Sequence, residues 1–389
     1  MDLNFTPEQE AFRQEVRAFL RGELGPDYSG GDRETPEGRA EIRRIHQKLA
    51  ARGWLIMAWP KEYGGGGAGI IEQLIFNEEY GYARGPYVGP GVTFIGPTIM
   101  INGTDEQKRQ HLPPIATSTV QWCQGFSEPG TGSDLASLQT RAVEDGDEFV
   151  VNGAKIWNSF GHHADWCYLA VRTDPDAPKH RGISVLLTDM KSPGITVQPI
   201  ISMDGNHHLN QVFFDDVRVP RANLLGPLNR GWYVMATTLD FERSMVAGPA
   251  SARRTLEDLI AYANETIGPD GEPLAKDPVL AAKLAQMAIE IEVARLFAYQ
   301  TASVQQHGLI PNKEGSLSKL YSSELSQRLA NLGLDLIGPA AALKEGSKGA
   351  RLQGRFAQLA LSAVSGTIAG GTSEIQRNVI ATRGLGMPR

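Results

Sequence analysis

Apolar residues recur along this chain at two different spacings, and the spacing changes twice. Up to about residue 118 the period is helical. Thr6 can cap a first helix, Pro7 suits its first turn, and Phe12, Val16 and Phe19/Leu20 form one face. Helical spacing returns in 41–52, 70–82 and 96–112, broken by Gly-rich and Pro-containing turns. From about 119 to 226 short strand-like runs take over: 148–151, 166–172, 183–188, 195–200 and 211–219. Turn signals such as Asn152-Gly153 and Ser192-Pro193-Gly194 separate them. Strands this close together, without helices between them, predict an antiparallel barrel or sandwich.

Beyond Pro220 and Pro227 the helical period resumes. Asp277 and Pro278 read as cap and first position of a helix striped by Leu280, Leu284, Met287 and Ile291, with Gly308 ending it. A second stripe runs through Leu317, Leu320, Leu325, Leu329, Leu332 and Leu336. Such stripes predict bundle core. The expectation is a multidomain α+β protein: an N-terminal helical domain over 1–118, a central antiparallel β-barrel over 119–226 and a C-terminal four-helix bundle over 227–389.

Composition narrows the function. The 389 residues are 41% hydrophobic and 21% charged, an ordinary globular balance. A net charge of −6 without a basic run makes nucleic acid a poor partner. No apolar stretch approaches the roughly 20 residues of a membrane span. Two cysteines, Cys123 and Cys167, are too few for a disulfide framework or a four-cysteine zinc site. With no targeting segment before the first helix, a reducing cytoplasm is the expected location.

Candidate chemistry concentrates in a few places. The stretch WCQGFSEPGTGSDLASLQTR at 122–141 packs small residues, a carboxylate and hydroxyls into one loop. Gly130, Gly132 and Ser133 leave room for a phosphate or planar heterocycle to approach the main chain, although on composition alone SEPGTGSD reads as an ordinary surface turn. Gly64, Gly66 and Gly69 match G-x-G-x-x-G, but Pro60, Lys61 and Glu62 interrupt the required strand-to-turn link, so they read as a loop. His162-His163 and His207-His208, with Asp165, Cys167 and Asp204 nearby, make no ligand set at a recognised spacing and read as solvated loop residues. No G-x-S-x-G elbow is present. Glu242 shares a helical face with Met235, Leu239 and Val246. A carboxylate on an apolar stripe is desolvated and suited to accept a proton near neutral pH, unless it simply pairs with a cation such as Arg243.

These segments together resemble the acyl-CoA dehydrogenase family over essentially the full chain. WPKEYGG, WCQGFSEPGTGSD, VNGAKIWNS, VFFDDVRVP, LDFERS and AGGTSEIQRNVIATRGLGMPR occur in the family's order. The resemblance implies FAD as cofactor and oxidation of an acyl-CoA thioester to the trans-2-enoyl-CoA. It implies electron-transfer flavoprotein as acceptor. By position, Gln124, Phe126 and Ser127 run along the flavin, and Trp157 and Ser159 lie against its ring. Thr372 and Glu374 contact the cofactor from the C-terminal domain, and Ser133, Asp240 and Arg243 hold the CoA moiety. The family's base occupies one of two slots. The one before the C-terminal Gly-Thr is Gly370 here, so the resemblance gives the role to Glu242, the placement of isovaleryl- and long-chain-type members. The backbone N–H at Gly370 then polarises the thioester carbonyl while Glu242 takes the α-proton.

Two departures bear on assembly. The family's Arg-x-x-Phe-Gly segment, which reaches a neighbouring subunit's FAD, reads NETIGPDGEPLAKDP from Asn264, and a later glutamine used in the same way is Asp335. The implied partners are a second copy of the chain, as dimer or tetramer, or a paralogue in a heterotetramer. A half-site subunit without its own catalysis and a flavin monooxygenase on the same fold are the competing functions.

Overall fold

The computed structural model describes residues 4–26, 28–243 and 248–388, with the side chains of 240–248 outside the description. The chain forms two compact units. One comprises Met1–Gly30, Gly69–Gly85 and Arg243–Arg389; the other comprises Gly31–Ala68 and Pro86–Glu242.

In the second unit, helix α2 (Pro36–Ala51) is capped by Thr35. The single helical stretch expected at 96–112 is two helices, α4 (Gly96–Asn102) and α5 (Asp105–Ala116). Gly103 stops the first, and Thr104 with Gln107 forms a reciprocal capping box that starts the second. Seven strands follow: β1 (Trp122–Gly125), β2 (Arg141–Asp145), β3 (Glu148–Ile156), β4 (Trp166–Arg172), β5 (Ile183–Asp189), β6 (Ile195–Ile200) and β7 (Leu209–Pro220). They make one sheet in the order β1-β4-β2-β3-β7-β6, with β5 added on β4.

This sheet is mixed, which corrects the expectation of a purely antiparallel one. β1 pairs with β4 in parallel, Trp122 opposite Trp166, and β2 meets β4 in parallel at Arg141/Arg172. The whole β2–β3 hairpin intervenes between β1 and β4, the long crossover that a parallel pair needs. Core side chains including Phe149, Val151, Leu169, Leu186 and Phe214 fill the sheet's inner face. Helix α6 (Gly231–Arg243) follows.

The first unit is helical. It contains α1 (Pro7–Glu23), α3 (Ile70–Tyr82), α7 (Gly248–Glu265), α8 (Pro278–Gln306), α9 (Asn312–Ile337), α10 (Arg355–Gly366) and α11 (Ser373–Val379). Asp277 caps α8 through the Val279 and Leu280 amides, and Gly308 sits at φ 71° just past its end. The stripes of α7, α8 and α9 meet in a core of Leu256, Leu259, Leu284, Met287, Ile291, Leu325, Leu329 and Leu332.

Two helical glycines make opposite predictions for one substitution. A Cβ at Gly22 in α1 would meet nothing within 4 Å, so Gly22→Ala should stabilise by about 0.5–1 kcal/mol from helix propensity. A Cβ at Gly333 in α9 would lie 2.1 Å from Cδ1 of Phe356, which is 1% exposed and has nowhere to go. Overpacking of about 1–3 kcal/mol outweighs the propensity gain there. Gly333→Ala should lower the denaturant midpoint, and Gly22→Ala should raise it.

Candidate active site

The loop after β1 is tied down from inside. Glu128 and Thr131 exchange backbone hydrogen bonds of 2.8 and 2.9 Å, closing the Pro129-Gly130 turn. The Glu128 carboxylate, 8% exposed, accepts the amides of Gln139 (2.6 Å) and Thr140 (2.8 Å) and a proton of Lys155 Nζ (2.8 Å). Arg172 reaches the same loop, donating to Ala136 O at 2.6 Å. A cavity of about 500 Å³ lies against Glu128, Gly130, Thr140 and Gly153. Ser133 is exposed on this loop. Burial pushes the Glu128 carboxyl up, but the charge and hydrogen bond of Lys155 with the Thr140 bonds leave it below the usual range. Burial lowers Lys155 to about 8, against the raising effect of Glu128.

Gln124, Phe126, Ser127, Trp157 and Ser159 sit on adjoining segments. Ile156 N donates to Ser127 O at 2.9 Å, which lays the loop along the end of β3. Asn158 Nδ2 donates to Gln124 O at 2.8 Å, binding the next segment to β1. Trp157 takes φ 66°, a left-handed conformation costly for a bulky residue, and leaves 55% of its surface exposed. The Gln124 amide nitrogen is buried with no hydrogen-bond partner. A hydrogen-bonding heterocycle fits this set: it would satisfy the Gln124 nitrogen and cover the Trp157 indole.

Thr238 in α6 is fully buried and links three elements. Its hydroxyl lies 3.0 Å from Thr98 Oγ1 of α4 and 2.7 Å from Tyr168 Oη of β4, and it donates to Val234 O. Burial raises the Tyr168 phenol, which stays neutral. Nothing in the apolar stripe of α6 signals this polar anchor, because threonine at a core position is silent in a hydrophobic pattern. Asp240 and Glu242 lie two and four residues further along α6, followed by Arg243; the side chains of all three fall outside the described residues.

Gly370, Thr372 and Glu374 belong to the helical unit and are considered within it. Thr372 caps α11, accepting from Ile375 N. Gly370 sits at φ 62° and Gly371 at φ 86°, which glycine adopts without strain. Gln376 Nε2 donates to Gly370 O (3.0 Å) and Lys319 Nζ to Gly371 O (2.6 Å), fixing both peptide planes. A polar cavity of about 530 Å³ is lined by Thr372, Glu374, Gln327, Arg328 and Arg377. Asp335 pairs with Lys283 at 3.7 Å on the surface.

The histidines depart from the solvated-loop expectation. His162 and His207 stack with centroids 3.9 Å apart, partly buried, and with Glu34 they bring ligating atoms within 4.8 Å. Burial, then the neighbouring imidazoles, lowers His162 to about 4, so it is neutral. Asn210 Nδ2 is 3.0 Å from His162 Nδ1 and donates to Asn158 O, while its Oδ1 faces His207 Nε2 at 2.8 Å.

Family models match three stretches: acyl-CoA dehydrogenase N-terminal domain over residues 6–119, middle domain over 123–217 and C-terminal domain over 229–385. The Mycobacterium tuberculosis protein named acyl-CoA dehydrogenase FadE26 is 36% identical over 400 residues, covering 100% of this chain and 99% of that protein. The solved ChsE4-ChsE5 complex from the same organism is similar at 37% identity and TM-score 0.90, with 100% of both chains covered. A structure titled Tcur3481-Tcur3483 steroid ACAD is similar at 34% identity and TM-score 0.89, again over 100% of both chains.

Proposed function

Because the chain belongs to the acyl-CoA dehydrogenase family and is therefore an oxidoreductase, we propose that it converts an acyl-CoA thioester to the trans-2-enoyl-CoA with FAD as its flavin. The observation that carries the flavin reading is the buried, unpartnered Gln124 nitrogen beside the exposed, strained Trp157. When bound, FAD supplies the acceptor for the β-hydride. Phe126 and Ser127 would hold it together with Trp157 and Ser159, and Thr372 and Glu374 would do so from the C-terminal segment. Ser133, Asp240 and Arg243 orient the CoA arm. Glu242 removes the α-proton, and the Gly370 amide donates to the thioester oxygen as charge develops there. A glycine suffices at 370, since only its N–H is used.

Electron-transfer flavoprotein is the proposed acceptor and the cytoplasm the proposed location; among the described residues no helix is long and apolar enough to cross a membrane. Two relatives are named as two-component assemblies, one of them a steroid ACAD. The missing arginine after Asn264 and the Asp335–Lys283 pair support the same organisation here, a heterotetramer with a paralogue acting on a bulky acyl group.

The test is an anaerobic titration of the purified protein, alone and with its co-expressed paralogue, against linear, branched and steroid-side-chain acyl-CoA thioesters. Loss of the oxidised-flavin band with one class supports dehydrogenation and identifies the acyl group. A flavin band that no thioester bleaches, with rapid oxygen use once reduced chemically, would transfer the protein to the monooxygenases. Flavin uptake and turnover that depend wholly on the paralogue's own glutamate would make this chain the half-site subunit.

A further inference from the structure

We propose that Lys155 is a positioning residue for the cofactor: one buried cation that clamps both protein surfaces assigned to the flavin ring. This rests on the FAD reading above. Lys155 is 0% exposed, in a strand end where the chain could have placed an aliphatic side chain at far lower cost. Its ammonium spends two of its protons on the loop after β1, donating to Phe126 O at 3.1 Å and to Glu128 Oε1 at 2.8 Å. The main chain next to it repeats the tie, Ile156 N to Ser127 O at 2.9 Å. Trp157 follows directly, in its left-handed conformation.

The flavin-facing residues therefore come from two segments, 126–127 and 157–159, and Lys155 is where they are joined. Glu128 extends the clamp, since its two oxygens also collect the Gln139 and Thr140 amides and so close the loop that carries Ser133. A pair whose only task was stability would be replaceable by packed aliphatic groups. This one holds a main-chain carbonyl and a loop closure in register with β3, and an aliphatic side chain supplies neither.

The test compares Lys155→Met with Leu186→Ala, a cavity variant in β5 that is fully buried in the same sheet core and belongs to neither segment. Apoprotein melting temperature, FAD Kd and the flavin absorption spectrum are measured for each. Lys155→Met should raise the FAD Kd at least tenfold and shift the flavin band, while Leu186→Ala loses a similar amount of melting temperature and keeps Kd within twofold. Glu128→Gln, which retains one acceptor for the loop amides, should weaken FAD by a smaller factor and serves if Lys155→Met does not fold. Wild-type FAD affinity in both clamp variants overturns the proposal, as does an equal loss of affinity in Leu186→Ala. Wild-type protein that takes up no FAD, either alone or with its co-expressed paralogue, overturns the flavin reading itself, and this inference with it.

Discussion

Glu242→Gln should reduce turnover of the acyl-CoA substrate by about a thousandfold while leaving the flavin spectrum and FAD affinity unchanged. General-base catalysis contributes on the order of 10²–10⁴ in rate, and glutamine has the size of glutamate without its basicity. The effect should fall on kcat, because a neutral isostere alters proton transfer and leaves substrate binding in place. Competing placements of the base are few. The other family slot is Gly370, whose φ of 62° suits glycine and which carries no side chain to accept a proton. Near-normal kcat in Glu242→Gln, measured with the thioester that bleaches the wild-type flavin, would falsify the assignment. A loss of FAD together with activity would mean that the substitution disturbs α6, and Thr238→Val, which breaks the buried anchor to Tyr168 and Thr98, gives the reference for that case.

The parts of the fold that the sequence announced are those where one local signal suffices. Asp277-Pro278 and Gly308 bracket α8 because capping chemistry is local. The β4 and β6 limits follow from runs of strand formers ended by turns. β1 and β2 were invisible for opposite reasons. β1 is four residues long and sits in a segment whose small residues read as loop. β2 spells Arg-Ala-Val-Glu-Asp, with only Ala142 buried, so no alternating apolar pattern marks it.

The candidate site divides along the same line. Its contacting residues came from motif resemblance, and its supporting residues did not. Lys155 lies on the same side of β3 as Phe149 and Val151, but the sequence pattern ends that strand at residue 151 and Asn152-Gly153 reads as a turn, whereas β3 runs on to Ile156. Thr98, Tyr168 and Thr238 come from three elements and meet only in the folded chain, and the His162–His207 stack depends on Asn210 between them. Partners that tertiary structure alone brings together leave no spacing to read.

Asp258→Ala should destabilise the helical unit by about 3 kcal/mol, the usual order for removing one side of a buried charge cluster. Asp258 in α7 is the shared acceptor of Arg84, Arg355 and Arg254, the last at 3.4 Å. Its own side chain is 20% exposed, and those of Arg84 and Arg355 are 13% and 22%. Deleting the carboxylate leaves Arg84 and Arg355 facing one another without their shared acceptor, and Arg254 with the charge of Glu257. Burial alone would raise the Asp258 pKa, but the hydrogen bond from Arg84 and the charge of Arg355 outweigh it and hold it below the ordinary value. The sign of the pH dependence follows. A depressed folded pKa contributes stability that is complete above the unfolded pKa, about 3.9, and is lost as pH falls through the folded value. Denaturant titrations at pH 7 and at successively lower pH should therefore show wild type losing its advantage over Asp258→Asn, which keeps an acceptor but has no charge to titrate. A constant gap between the two across that acid range would mean that the cluster is held by hydrogen bonding alone.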